Sequence, residues 1–277
     1  MNRYNRNDKP DWVPPRSIKL LDQVRERVRY LHYSLQTEKA YVYWAKAFVL
    51  WTARSHGGFR HPREMGQAEV EGFLTMLATE KQVAPATHRQ ALNALLFLYR
   101  QVLGMELPWM QQIGRPPERK RIPVVLTVQE VQTLLSHMAG TEALLAALLY
   151  GSGLRLREAL GLRVKDVDFD RHAIIVRSGK GDKDRVVMLP RALVPRLRAQ
   201  LIQVRAVWGQ DRATGRGGVY LPHALERKYP RAGESWAWFW VFPSAKLSVD
   251  PQTGVERRHH LFEERLKRQL KKAVVQA

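Results

Sequence analysis

Two stretches decide how this chain reads: Tyr150-Gly-Ser-Gly-Leu-Arg155-Leu-Arg-Glu158 and Ser178-Gly-Lys180-Gly-Asp-Lys183-Asp-Arg185. The first follows residues 144–150, which are apolar on nearly every side and predict a buried helix that Gly151 and Gly153 break. Arg155 is the first charge after that break. A guanidinium held there offers a planar, permanently charged fork that matches two phosphate oxygens. Glu158, three residues on, is placed to orient it. The second stretch joins two β-rich runs, 173–177 and 185–189, and predicts a hairpin with a basic tip. Glycines on both sides of Lys180 let the backbone approach a groove closely. A lysine there can bind a phosphate or give a proton to a departing oxygen. Taken alone, Arg155 with Glu158 also fits an ordinary surface ion pair, and Lys180 with Lys183 also fits a solubilising turn.

The bulk properties narrow the choice. The chain has 277 residues, 45% hydrophobic, which is room for one large or two ordinary domains with a real core. Net charge is +20, far beyond what solubility needs, so a polyanionic partner is expected, nucleic acid before an anionic membrane surface. The excess is spread as +6 over 1–114, +3 over 115–123 and +11 over 124–277. That spread suits a protein that wraps its partner from two sides. With no cysteine, disulfides and thiolate metal sites are excluded. No apolar run reaches the length of a membrane span, and the N-terminus has no apolar signal core. A cytoplasmic protein is the expectation.

Along the chain, residues 1–16 carry three prolines and read as a flexible lead. Leu21, Val24, Val28 and Leu31, then Tyr41, Trp44, Phe48 and Trp51, form stripes at helical spacing interrupted at 34–37, which predicts two helices. A third covers 69–77. Pro85-Ala-Thr87 opens a fourth with Thr87 as N-cap, its stripe running from Leu92 to Leu103 and ending at Gly104. This four-helix unit spans 17–114. The Pro- and charge-rich stretch 115–123, with Arg119, Lys120 and Arg121, reads as a linker that is solvated or touches phosphates in passing. The second domain, 124–277, begins with a capping box at Thr127 and Glu130. Helices are predicted over 191–208 and 262–275, and 236–242 (Trp-Ala-Trp-Phe-Trp-Val-Phe) reads as strand-like. The fold class is mainly α with a small antiparallel β-sheet.

The combination of a buried helix, Arg155-x-x-Glu158, short strands and the Gly-Lys180-Gly hairpin resembles the tyrosine recombinase family. Leu221-Pro-His-Ala-Leu-Glu226, Trp236, Trp238, Phe239, Trp240, Pro251 and Arg257-Arg-His259-His260 resemble the insertion of integron integrases, placed here at about 209–242 and continued to 260. The resemblance covers about 17–277. It implies a helical core-binding domain of SAM-like type followed by an α+β catalytic domain. It also implies a mechanism in which a tyrosine attacks a DNA phosphate and leaves a 3′-phosphotyrosyl bond and a free 5′ hydroxyl, with no metal and no ATP. Arg155 then matches the first catalytic arginine and Lys180 the lysine that serves the leaving oxygen. Homo-oligomers, gene-cassette integration and folded single-stranded DNA sites with extrahelical bases are what the family implies as assembly, activity and substrate. Trp236, Trp238, His259 and His260 become candidate base contacts, with core packing of the aromatic rings the competing reading.

The sequence departs from the family at its end. None of the nine histidines is followed by arginine three residues on, and no tyrosine follows Tyr229. The family's His-x-x-Arg motif and nucleophile are therefore missing, and the catalytic domain is expected to be C-terminally truncated and inactive alone, with the layer 144–150 left uncovered. The rival readings are a non-catalytic DNA-binding module that competes with or joins intact integrase, and a general basic RNA- or membrane-surface binder.

Overall fold

The computed structural model describes residues 14–105, 124–177, 184–216, 218–222, 225–251 and 253–277. Lys180, Lys183, Arg119, Lys120 and Arg121 lie outside them. The chain divides into two compact units at Pro123/Val124.

The first unit is helical: α1 (Leu20–Tyr30), α2 (Leu35–Ser55), α3 (Gln67–Thr79) and α4 (Pro85–Phe97), which runs on into a π-helical turn over Leu98–Val102. The helical stripes are its core. Val24, Val28, Trp44 and Phe48 are buried, and Leu21, Leu31, Tyr41 and Trp51 pack against them. Ser34 caps α2, its Oγ accepting the Thr37 N–H at 3.1 Å, so the break falls just before the predicted 34–37. Thr87 is not a cap. The helix starts at Pro85 after Ala84, because proline already has the φ of a first helical turn and needs no partner for a missing N–H.

The second unit holds α5 (Val128–Ser136), α6 (Gly140–Ser152), α7 (Leu156–Leu160), β1 (Val167–Asp168), β2 (Ala173–Val176), β3 (Arg185–Met188), α8 (Val194–Ala213), α9 (Leu225–Lys228), β4 (Pro243–Val249), β5 (Glu256–His260) and α10 (Glu263–Gln276). The strands form two antiparallel sheets, β1-β2-β3 and β4-β5, with Val176 opposite Arg185 as the last pair before the segment that connects β2 to β3. Thr127 and Glu130 form the capping box, Thr127 N–H donating to Glu130 Oε2 at 2.7 Å and Glu130 N–H to Thr127 Oγ1 at 3.2 Å. The helix α6 passes through Gly151 and stops at Gly153, whose φ of +64° is the left-handed value glycine adopts without strain. Its apolar layer is covered within the chain. Leu144, Leu145 and Leu148 are buried in one cluster with Leu266 and Ala273 of α10, while Tyr150 remains 56% exposed.

The aromatic run is not a strand. Trp236–Trp238 is a single 3-10 turn and the strand begins at Pro243. What holds the run is Arg163, only 7% exposed. Its guanidinium stacks 3.6 Å from the Trp240 ring and donates to the carbonyls of Trp238 and Tyr220, each at 2.8 Å. Burial pushes its pKa down to about 10, so it stays charged at neutral pH. The loop is closed by backbone: Val219 N–H donates to Gly233 O at 2.9 Å. A Cβ on Gly233 would lie 2.6 Å from Val219 O, and one on Gly218, whose φ is +65°, 2.7 Å from Gly233 O. Among the described residues, no helix is long and apolar enough to cross a membrane.

Two outcomes are expected. Arg163→Met leaves two carbonyls without their donor and removes the ring contact, and should cost about 2–4 kcal/mol in urea unfolding followed by tryptophan fluorescence. Burial holds the His260 imidazole at about 4, below its usual 6.5. The fold therefore favours neutral His260, and that stabilisation is complete above pH 6.5 and is lost as pH falls toward 4. The drop in melting temperature between pH 7 and 5 should shrink in His260→Gln.

Candidate nucleic-acid interface and phosphate site

Arg155 stands where α6 has ended and α7 begins. Its backbone N–H donates to Glu158 Oε2 and its Nη1 to Glu158 Oε1, both at 2.8 Å. A second arginine meets the same carboxylate from the sheet: Arg185, the first residue of β3, donates through Nη1 at 2.8 Å and Nη2 at 2.6 Å. The Glu158 side chain is 10% exposed and that of Arg155 55%. Arg185, together with the Arg155 bonds, holds the Glu158 carboxyl at about 2 despite its burial. Glu158 is thus ionised at every ordinary pH and keeps Arg155 at the surface with its charged group accessible.

The same device recurs at the other leg of the hairpin. Arg177, just past β2, donates Nε to Asp166 Oδ1 at 3.0 Å, and Asp166 Oδ2 accepts the Arg163 N–H at 3.2 Å. The hairpin predicted to carry Lys180 and Lys183 is therefore fixed at both feet, on β3 by Glu158 and on β2 by Asp166. Arg163, Asp166 and Arg185 were not singled out from the sequence. Arg185 had a usable signal: a cation opening a strand directly after the basic tip. Arg163 had none, because its role depends on Trp238, 75 positions downstream, and Asp166 acts through Arg163 and Arg177.

Trp236 and Trp238 are half-buried, and Phe239 and Trp240 are core. Trp236 packs on Trp208 and Phe239 with ring centroids 5.9 and 6.3 Å away, and the Arg205 guanidinium lies 4.7 Å from its ring. The Trp238 ring carries Lys165 Nζ on one face at 2.9 Å. His259 stacks on Phe262 (5.5 Å, 15°) and lies 4.0 Å from His260. His260 faces inward, edge-on to Trp240 at 5.3 Å. Arg157 Nε donates to Glu263 Oε1 at 2.7 Å, which ties α7 to the start of α10, three residues beyond His260. Among the described residues, no group of three or more His, Cys, Asp or Glu is placed to hold a metal ion.

The chain matches two known sequence families. Residues 20–109 match the phage integrase N-terminal SAM-like domain, and residues 124–277 match the phage integrase family. An integrase/recombinase of Escherichia coli and one of Pseudomonas aeruginosa are each 58% identical over 266 residues, covering 96% of this chain and 77% of the relative. The fold resembles that of XerH site-specific recombinase bound to palindromic difH substrate in a post-cleavage complex, with a TM-score of 0.53 and 17% identity over 94% of this chain and 68% of that one. It also resembles the Tn1549 transposon integrase in complex with circular intermediate DNA, with a TM-score of 0.52 and 14% identity over 94% of this chain and 80% of that one. With its second unit matched throughout and a relative sharing more than half its residues, the chain belongs to the phage integrase family of tyrosine recombinases.

Proposed function

We propose that this chain acts in site-specific recombination of gene cassettes as an integrase of integron type, binding DNA and supplying the cationic half of the strand-transfer site. The observation that carries this is the accessible Arg155 guanidinium, held by an ionised Glu158 at the foot of the β2–β3 hairpin in a chain of charge +20. Arg155 binds two non-bridging oxygens of the scissile phosphate and takes up the negative charge that grows as the phosphorus becomes five-coordinate. In that step a tyrosine oxygen bonds to phosphorus and the bond from phosphorus to the 5′ oxygen breaks. Lys180 gives the departing oxygen its proton. The attacking tyrosine and the His-x-x-Arg motif are not found in these 277 residues. The alternative reading is a non-catalytic DNA-binding module that competes with or joins intact integrase.

The substrate proposed is a recombination site that includes folded single-stranded forms. In this reading the partly exposed Trp236, Trp238 and His259 contact unpaired bases, and Arg119, Lys120, Arg121 and Lys183 contact phosphates. His260 is mostly buried and supports His259 from behind.

Three results are expected. Affinity for DNA falls steeply with salt, with a log–log slope of several units, as release of condensed counterions requires. A folded single strand with extrahelical bases is preferred over a plain hairpin of equal length, and Trp238→Ala loses about tenfold of that preference while its melting curve is checked separately. A nicked duplex that traps phosphotyrosyl intermediates yields no covalent adduct, and an adduct would overturn the reading of an incomplete site. Equal affinity for arbitrary RNA, or binding only to anionic vesicles, would remove the recombinase reading of this chain.

A further inference from the structure

The Arg185 side chain takes no part in the backbone pairing of β3, yet it delivers two short hydrogen bonds to a carboxylate that already caps Arg155. A cation beside a phosphate-binding arginine can do one of two things. It can touch the phosphate itself, or it can hold the group that aims the first arginine. The geometry separates them. Both Nη1 and Nη2 of Arg185 are directed at Glu158, at 2.8 and 2.6 Å, and each carboxylate oxygen is shared with Arg155, Oε1 with its side chain and Oε2 with its backbone N–H. The guanidinium fork of Arg185 is thus spent on Glu158, whereas Arg155 uses one nitrogen and faces solvent. We propose that Arg185 is a positioning residue: acting through Glu158, it fixes the direction of the Arg155 guanidinium and registers the β2–β3 sheet against the Arg155 turn. It does not contact the phosphate.

The alternatives within the same region are excluded by their partners. Arg157 is bound to Glu263, and Arg177 to Asp166, so neither reaches the Glu158 carboxylate in these contacts. Arg177 therefore provides an internal control, a cation at the other foot of the same hairpin that belongs to a different carboxylate.

The inference rests on the recombinase reading of Arg155, and a double-mutant cycle in the 277-residue chain tests the two separately. The probe is a folded single-stranded recombination-site hairpin, with binding measured at fixed salt. Arg155→Ala is expected to weaken binding about tenfold, the scale of one lost charge-assisted contact. Arg185→Met is expected to weaken it several-fold in the wild-type background and to have no further effect once Arg155 is alanine. Arg185→Lys, which keeps the charge but loses the fork, should recover only part of the loss. Arg177→Met should add its effect independently to that of Arg155→Ala. Losses for Arg185→Met and Arg155→Ala that simply add would overturn the inference, because Arg185 would then act on DNA by itself. An unchanged affinity in Arg185→Met would overturn it too. If Arg155→Ala leaves binding intact, the recombinase reading of Arg155 fails instead. Amide exchange across 173–176 and 185–188 then still decides the registration of the sheet. Faster exchange in Arg185→Met at an unaltered melting temperature supports it, and unchanged exchange removes it.

Discussion

Glu158 accepts hydrogen bonds from the backbone and side chain of Arg155 and from both terminal nitrogens of Arg185, and that sharing holds two guanidinium groups together at one carboxylate. A surface that gathers cations for a phosphate must keep them from repelling one another before the phosphate arrives. A carboxylate between two guanidinium groups does this. It would be costly to bury alone, and four donors make it cheaper to keep ionised than to protonate. The rest of the site is arranged around that compromise. The turn left by α6, the short α7 and the first residue of β3 all meet at one side chain.

Arg163 and Asp166 form a second clamp on the other side of the hairpin. Both charges are buried here, and the cation is compensated by two carbonyls and two indole rings as well as by Asp166. Asp166 links this clamp to Arg177. The aromatic segment and the hairpin therefore share a support, although α8 and α9 lie between them in sequence. A further pair, Arg258 with Asp211, fastens β5 to α8 through nearly buried charges. Pairs of this kind add little net stability, but breaking one member leaves a charge stranded, so they specify a single arrangement.

Much of the fold was legible because helical periodicity is a statement about burial. Val24, Val28, Trp44 and Phe48 recur on one face and are core. The Thr127 capping box and the 173–188 hairpin were equally local. The hairpin of β4 and β5 was not: β5 reads Glu-Arg-Arg-His-His, with no apolar alternation, and becomes a strand only because Arg257 and Arg258 find carboxylates on other elements. Trp236–Phe242 failed for the opposite reason. Aromatic residues favour strands by propensity, yet here Arg163 and the packing of Trp208 fix the rings on a turn. Within the site, Arg155, Glu158 and the basic hairpin could be read from residue type and spacing. The partnership of Glu158 with Arg185, 27 residues away, could not, since only the sheet brings them together.

The backbone closure at Val219 and Gly233 has one more consequence. The two ends of the loop are joined by peptide groups packed so closely that neither Gly218 nor Gly233 has room for a methyl group. Between them Val219 and Leu221 are buried and Tyr220 gives its carbonyl to Arg163, so the changes that leave the base shut are those at the exposed residues 227–231. The chain thus has a closed mounting on which those residues can vary in composition, and the two glycines are positions at which such variation must stop.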